Sequence, residues 1–194
     1  MITLEDMVGS GSVAPEGAEL LRQIGRTRQS FIVYAIPRNA GKTTLTQAIL
    51  AASPPDVPIR PFLGGSDEVE TFLDERRGYL TVAEIGHAGM PGYLVGEQVV
   101  RAFHLVSQGW ALASSLHADS VDGVFEALWK QGVGDAVVAI RYVAKVRALG
   151  DPNRPDTRRV VEEIHEVSGF DGPRAVTSLR YRWRGEGALA DGML

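Results

Sequence analysis

The sequence predicts an α/β protein with a mainly parallel sheet, helices on both faces and an antiparallel β extension at the C-terminal end. Two observations carry this reading. From residue 31 to about 131, apolar strand-like runs alternate with segments whose apolar residues recur at helical spacing; such alternation implies right-handed crossovers and a parallel sheet covered on both sides. Beyond residue 136 the strand-like runs follow one another directly, which implies antiparallel neighbours.

The elements follow in order. Residues 1–16 read as an N-terminal stub and linker, because Gly9, Ser10, Gly11, Ser12 and Pro15 crowd into its second half. A helix is expected over 15–27, a β-rich apolar strand over 31–36, and a helix over 42–53 with Leu45, Ala48, Ile49 and Ala52 on one face. A short strand near 57–63 and a short helix near 67–77 come next. Residues 79–85 read as a buried strand, and 92–108 as a helix striped by Val95, Val99, Phe103 and Val106. Residues 110–116 form another apolar strand, and 120–131 a helix burying Val121, Val124, Phe125 and Leu128. Strands are expected over 136–148, 158–168 and 174–184, the first two joined by the turn-rich run from Asp151 to Asp156. The expected domain spans 17–184, with 185–194 a loose tail.

Composition bounds the function classes. A chain of 194 residues with 44% hydrophobic and 23% charged residues suits one compact globular domain. Its formal charge of -4 gives no global attraction to nucleic acid or anionic membrane. Absence of cysteine excludes disulfides, thiol catalysis and Cys-based metal sites. No basic and apolar leader opens the chain and no apolar run reaches spanning length, so a cytoplasmic protein without membrane insertion is expected.

The sharpest motif is Ile36, Pro37, Arg38, Asn39, Ala40, Gly41, Lys42, Thr43 and Thr44, set between a strand and a helix. It compares with the phosphate-binding P-loop, G-x-x-x-x-G-K-S/T. In such a loop, backbone N–H groups and the helix N-terminus point at phosphate oxygens, and the lysine adds a point charge. Lys42 stands out in a chain whose other lysines are Lys130 and Lys145. Thr43 would place its hydroxyl on Mg²⁺. Ile36 replaces the first glycine, which requires an extended backbone there, and Asn39 is a residue that tolerates the left-handed region.

A nucleotide loop needs a carboxylate from a neighbouring strand. The run from Tyr79 ends in Glu84, which could orient water, accept its proton or hold Mg²⁺ through water. The run from Trp110 ends in His117, which could donate to a γ-phosphate. His87 follows Glu84 closely enough to line the same crevice, His104 reads as structural, and His165 sits in a C-terminal strand. No pair of histidines has metal-ligand spacing.

These residues resemble the ATPases of bacterial type II and type IV secretion and of type IV or Tad-type pilus assembly. That family has a P-loop like G-P-T-G-S-G-K-S/T-T, a strand ending G-E-I-R-D, and a histidine box like G-H-L-V-L-S-T-L-H-T-N-S. Here the corresponding runs begin at Ile36, Ala83 and Gly109, and the run from Arg158 to Val167 is similar to the family's R-R-x-V-x-x-I-x-E-V strand. The resemblance implies a RecA-like core that binds Mg-ATP and hydrolyses it, with Glu84 activating water and His117 sensing the γ-phosphate. It further implies a homo-oligomer, a hexameric ring, working with secretion or pilus machinery. Gly86 and His87 replace the family's Arg-Asp, and Trp110 its first histidine. Asp67 and Glu68 are the nearest candidates for a second acidic group, and Arg76 or Arg77 for its arginines. Against the family's length, the N-terminal domain is expected to be absent.

Two alternatives stay open: a degenerate nucleotide-binding partner of a motor assembly, and a small kinase. A kinase needs phosphate-clamping arginines, whereas Arg141, Arg147, Arg154, Arg158 and Arg159 read as a solvated β face. The run Arg180, Tyr181, Arg182, Trp183, Arg184 could stack on a nucleic-acid strand. Period-two alternation favours an ordinary strand, so no nucleic-acid partner is expected.

Overall fold

The computed structural model describes residues 2–86 and 89–185; His87 and residues 186–194, which include most of the expected tail, lie outside them. Among the described residues no helix is long and apolar enough to cross a membrane.

The chain opens with helix α1 (Leu4–Gly9), started by a capping box in which Thr3 and Asp6 satisfy each other's backbone N–H groups. Residues 1–16 are therefore not simply stub and linker: Leu4, Met7 and Val13 are buried. Helix α2 (Pro15–Arg26) begins with proline at its first turn, where the missing N–H costs nothing. Then come β1 (Phe31–Tyr34), α3 (Lys42–Leu50), β2 (Ile59–Pro61), α4 (Ser66–Asp74) and β3 (Tyr79–Ile85). The expected helix over 92–108 is divided: β4 (Tyr93–Leu94) pairs with β3, and only then does α5 (Glu97–Ser107) begin. After β5 (Ala111–Leu116) and α6 (Val121–Lys130), a 3₁₀ turn (Gly134–Ala139) occupies the front of the expected strand, leaving β6 (Tyr142–Ala148). Strands β7 (Arg159–Asp171) and β8 (Arg174–Arg182) are the last elements among the described residues.

One sheet runs β2-β3-β5-β1-β6-β7-β8, with β4 beside β3. Strands β2 to β6 pair in parallel, while β6–β7 and β7–β8 are antiparallel. The mixed α/β architecture with its antiparallel end is the one expected.

The apolar runs are continuous because both sheet faces are covered. Phe31 and Val33 join the core beneath α1, α2 and α3, whereas Ile32 and Tyr34 join the core beneath α4, α5 and α6. Two glycines permit close approach of elements. A Cβ on Gly25 would lie 2.3 Å from the Ile49 carbonyl, so α2 can lie against α3 only without one. A Cβ on Gly17 would lie 2.6 Å from the Tyr181 ring, whose hydroxyl accepts a hydrogen bond from the Ala14 N–H at 3.0 Å.

Because β1 lies between β5 and β6, the chain leaves it in one direction and returns on the other side. This is the topological switch point at which open parallel sheets form crevices beyond their C-terminal strand ends.

Candidate functional site

Four parallel strands bring residues at or just beyond their C-terminal ends to this crevice. From β1 comes the loop from Ile36 to Gly41, from β3 Glu84, from β5 His117, and from β6 the turn 149–158. Arg38, Asn39, Ala40, Gly41, Lys42, Thr43 and Thr44 line one cavity of about 780 Å³ together with Glu84 and His117. Pro37 does not line it. The loop uses two left-handed residues, Asn39 (φ 61°) and Gly41 (φ 103°), and Ile36 is not among the positive-φ residues. The replaced first glycine is therefore compatible with the loop's course.

The three polar side chains converge. Lys42 Nζ lies 3.6 Å from Glu84 Oε2 and 3.2 Å from His117 Nε2, and His117 Nε2 lies 3.4 Å from Glu84 Oε1. His117 Nδ1 is 2.7 Å from the Ile36 carbonyl, so this nitrogen carries the hydrogen and donates it. In the neutral ring Nε2 is then an acceptor for the Lys42 ammonium. Lys42 and Glu84 are both about 7% exposed. Burial lowers the Lys42 pKa, and the Glu84 carboxylate opposes that shift.

A β-bulge aims Glu84. Leu80 and Val82 belong to the core beneath α5, and strict alternation would send Glu84 there too. The register of β3 on β5 shifts between Val82 and Ile85, and Ile85, not Glu84, joins that core. One extra residue flips the carboxylate to the Lys42 side. The Ser115 hydroxyl donates to the Ala83 carbonyl inside the bulge at 2.6 Å.

Other expected residues lie elsewhere. Trp110 is buried, donates its indole N–H to the Phe72 carbonyl at 3.1 Å, and sits at the opposite end of β5 from His117. Glu68 caps α4 through the Gly65 N–H at 2.7 Å, and neither it nor Asp67 lines the cavity. Arg77 precedes β3, at the far end of the sheet, and donates to the Phe72, Leu73, Glu75 and Gln108 carbonyls. Arg76 pairs with Asp56. His104 is exposed, and His165 pairs with Glu163. Among the described residues lining the cavity, Glu84 is the only carboxylate.

The arginines expected on a solvated β face divide. Arg141 and Arg147 do lie on the sheet, paired with Glu166 and Glu162. Arg158 and Arg159 instead line the cavity, because β6 is parallel to β1 and its turn opens at the same sheet end. Met7, Ser10 and Ser12 close the cavity from the N-terminal side. Pro152, Asn153 and Thr157 carried no motif, whereas Arg158 and Arg159 open the run compared above with an R-R-x-V strand, and the capping pattern from Thr3 to Asp6 was a readable helix start.

No family model matches the chain, and no curated protein does. Among solved structures it is similar to the VirB11 ATPase from the Brucella suis type IV secretion system, in complex with sulphate. The TM-score is 0.59 and the identity 15%, over 83% of this chain. The chain spans about half of that protein's chain, 54%. The likeness is one of fold: the chain has a secretion-ATPase-like α/β fold.

Proposed function

We propose that this chain is a RecA-like nucleotide-binding core that holds Mg-ATP in the cavity and hydrolyses it slowly, as a minimal motor of the secretion or pilus class. The observation that carries this is the meeting of Lys42, Glu84 and His117 within 3.6 Å at the switch point.

The loop N–H groups and Lys42 take the β- and γ-phosphates, which replace Glu84 and His117 as partners of the ammonium. Glu84, released from Lys42, orients water and accepts its proton. His117, held through Nδ1 by the Ile36 carbonyl, keeps Nε2 directed at the terminal phosphate, where the imidazolium form of the ring would donate to it. Thr43, exposed on the cavity, would hold an Mg²⁺ through its hydroxyl and Glu84 would hold it through a water. Among the described residues no group of three acidic or histidine side chains could cage a metal alone. The bound ion would neutralise charge on the phosphates. The secretion-ATPase likeness supports a homo-oligomeric ring, a hexamer, with secretion or pilus proteins as partners.

The single carboxylate favours a second reading, nucleotide binding without turnover by a partner of a motor assembly.

Binding and phosphate release with Mg-ATP test both. Lys42→Ala should abolish binding, and Glu84→Gln should keep binding while turnover falls at least about 100-fold. EDTA should stop release. Unchanged turnover in both variants overturns the site; binding by the wild type without phosphate release selects the second reading.

A further inference from the structure

We propose that Arg159 is a positioning residue that braces the phosphate-binding loop in its binding-competent shape through the turn after β6. The proposal rests on the nucleotide-binding reading for its consequence, but its geometry stands apart from it.

Arg159 Nε donates to the Asn39 carbonyl at 2.7 Å. Its two terminal nitrogens donate to the carbonyls of Thr157 at 2.7 Å, Pro152 at 2.9 Å and Arg154 at 3.3 Å. Four of the five guanidinium N–H groups are thus committed to backbone oxygens, one in the loop and three in the turn. A guanidinium used in this way acts on the loop and not as a clamp on phosphate. A second tie runs beside it: Asn39 Nδ2 donates to Asn153 Oδ1 at 3.2 Å, and the Asn153 N–H donates to Asp151 Oδ1 at 2.9 Å.

Both ties meet the loop at Asn39, its left-handed residue that is not glycine. Asparagine tolerates this conformation without being confined to it, so its surroundings decide how fully it is held. The stem of Arg159 also covers the other left-handed residue, since a Cβ on Gly41 would lie 3.3 Å from Arg159 Cδ. One side chain therefore touches both residues that bend the loop. Their conformations decide where its N–H groups point.

If the brace is lost, the loop samples other shapes and apparent affinity falls by the fraction of time it spends out of shape. Amide hydrogen exchange of residues 38–42 in the nucleotide-free chain measures this directly, and Mg-ATP affinity measures its consequence. Arg159→Met should speed exchange in 38–42 and weaken Mg-ATP binding, each about tenfold, the scale of one charged hydrogen bond. Exchange in β1 and β5 should not change. Arg159→Lys, which keeps the charge but not the fork, should resemble Arg159→Met. Adding Asn39→Gly to Arg159→Met should recover part of the binding, because glycine takes the left-handed shape freely; a merely structural role would not be rescued. Should Arg159→Met fail to fold, Asn153→Ala removes the exposed tie alone, with about threefold expected.

Unchanged loop exchange, or equal acceleration in β1 and β5, overturns the brace. Accelerated loop exchange in a chain that binds no Mg-ATP upholds the brace and overturns the nucleotide reading instead.

Discussion

The parallel strands and the antiparallel pair β7–β8 use the same sheet differently. In the parallel part, β1, β3 and β5 are largely buried and β6 partly so, while the short edge strand β2 is exposed; β1, β3, β5 and β6 each contribute one polar tip at the same end: the loop after Tyr34, Glu84, His117 and the turn after Ala148. In the pair, the strands are the longest among the described residues, and half-buried and exposed residues run through them. Their charges are matched: Glu162 with Lys145 and Arg147, Glu163 with His165 and Arg182, Glu166 with Arg141 and Arg180. Their aromatic residues fasten the N-terminal segment. Tyr181 lies on Gly17, and Trp183 donates to the Gly11 carbonyl at 3.2 Å beside the Arg158 guanidinium. Parallel strands gather chemistry at one edge because all their ends coincide. Antiparallel strands place alternate ends apart and serve here as a fastening, reaching the site only where β6 hands over to β7.

Breaking that contrast should cost most in the parallel core. Leu112→Ala on β5 empties a fully buried position and should destabilise by about 2–5 kcal/mol in denaturant titration. Val176→Ala on the half-exposed β8 should cost under about 0.5 kcal/mol. Comparable losses at the two sites would remove the distinction.

Ser115→Ala probes the bulge. It should cost about 1 kcal/mol and lower phosphate release more than nucleotide affinity, since Glu84 is re-aimed while the loop is untouched. A fall in affinity alone would show that the bulge serves the loop instead.

The smallest effect concerns the charge ladder. Burial alone would raise the Glu163 pKa, but His165 and Arg182 outweigh it and hold the carboxyl below its ordinary 4.5. A depressed carboxylate contributes stability that is fully present above its unfolded value and is lost as pH falls through the folded one. Glu163→Gln should remove about 0.5 kcal/mol at neutral pH and lessen the fall of the melting temperature as pH drops below the ordinary carboxyl value. A variant with the wild-type acid profile would place no stabilisation in this cluster.

Much of this was legible before the fold. Lys42, Glu84 and His117 could be read because each follows an apolar run, and parallel strands bring such ends together. Strand β4 could not, since two residues make no period and Val95 continues the helical spacing of α5. The 3₁₀ turn passed for strand because Ala136, Val137, Val138 and Ala139 form an apolar run that either structure can bury. The arginines of 158–159 were misplaced because local alternation does not say at which end of the sheet a turn will open.

By itself the sequence determined the α/β order, the loop and its lysine, and the strand-end Glu84 and His117, because these depend on local periodicity and on residue chemistry. Only the tertiary structure decided that β6 enters parallel beside β1, that a bulge turns Glu84 toward Lys42, and that Arg159 reaches back to Asn39. Each of these is a matter of register or strand direction between segments far apart in the chain, and neither quantity is encoded in any one segment.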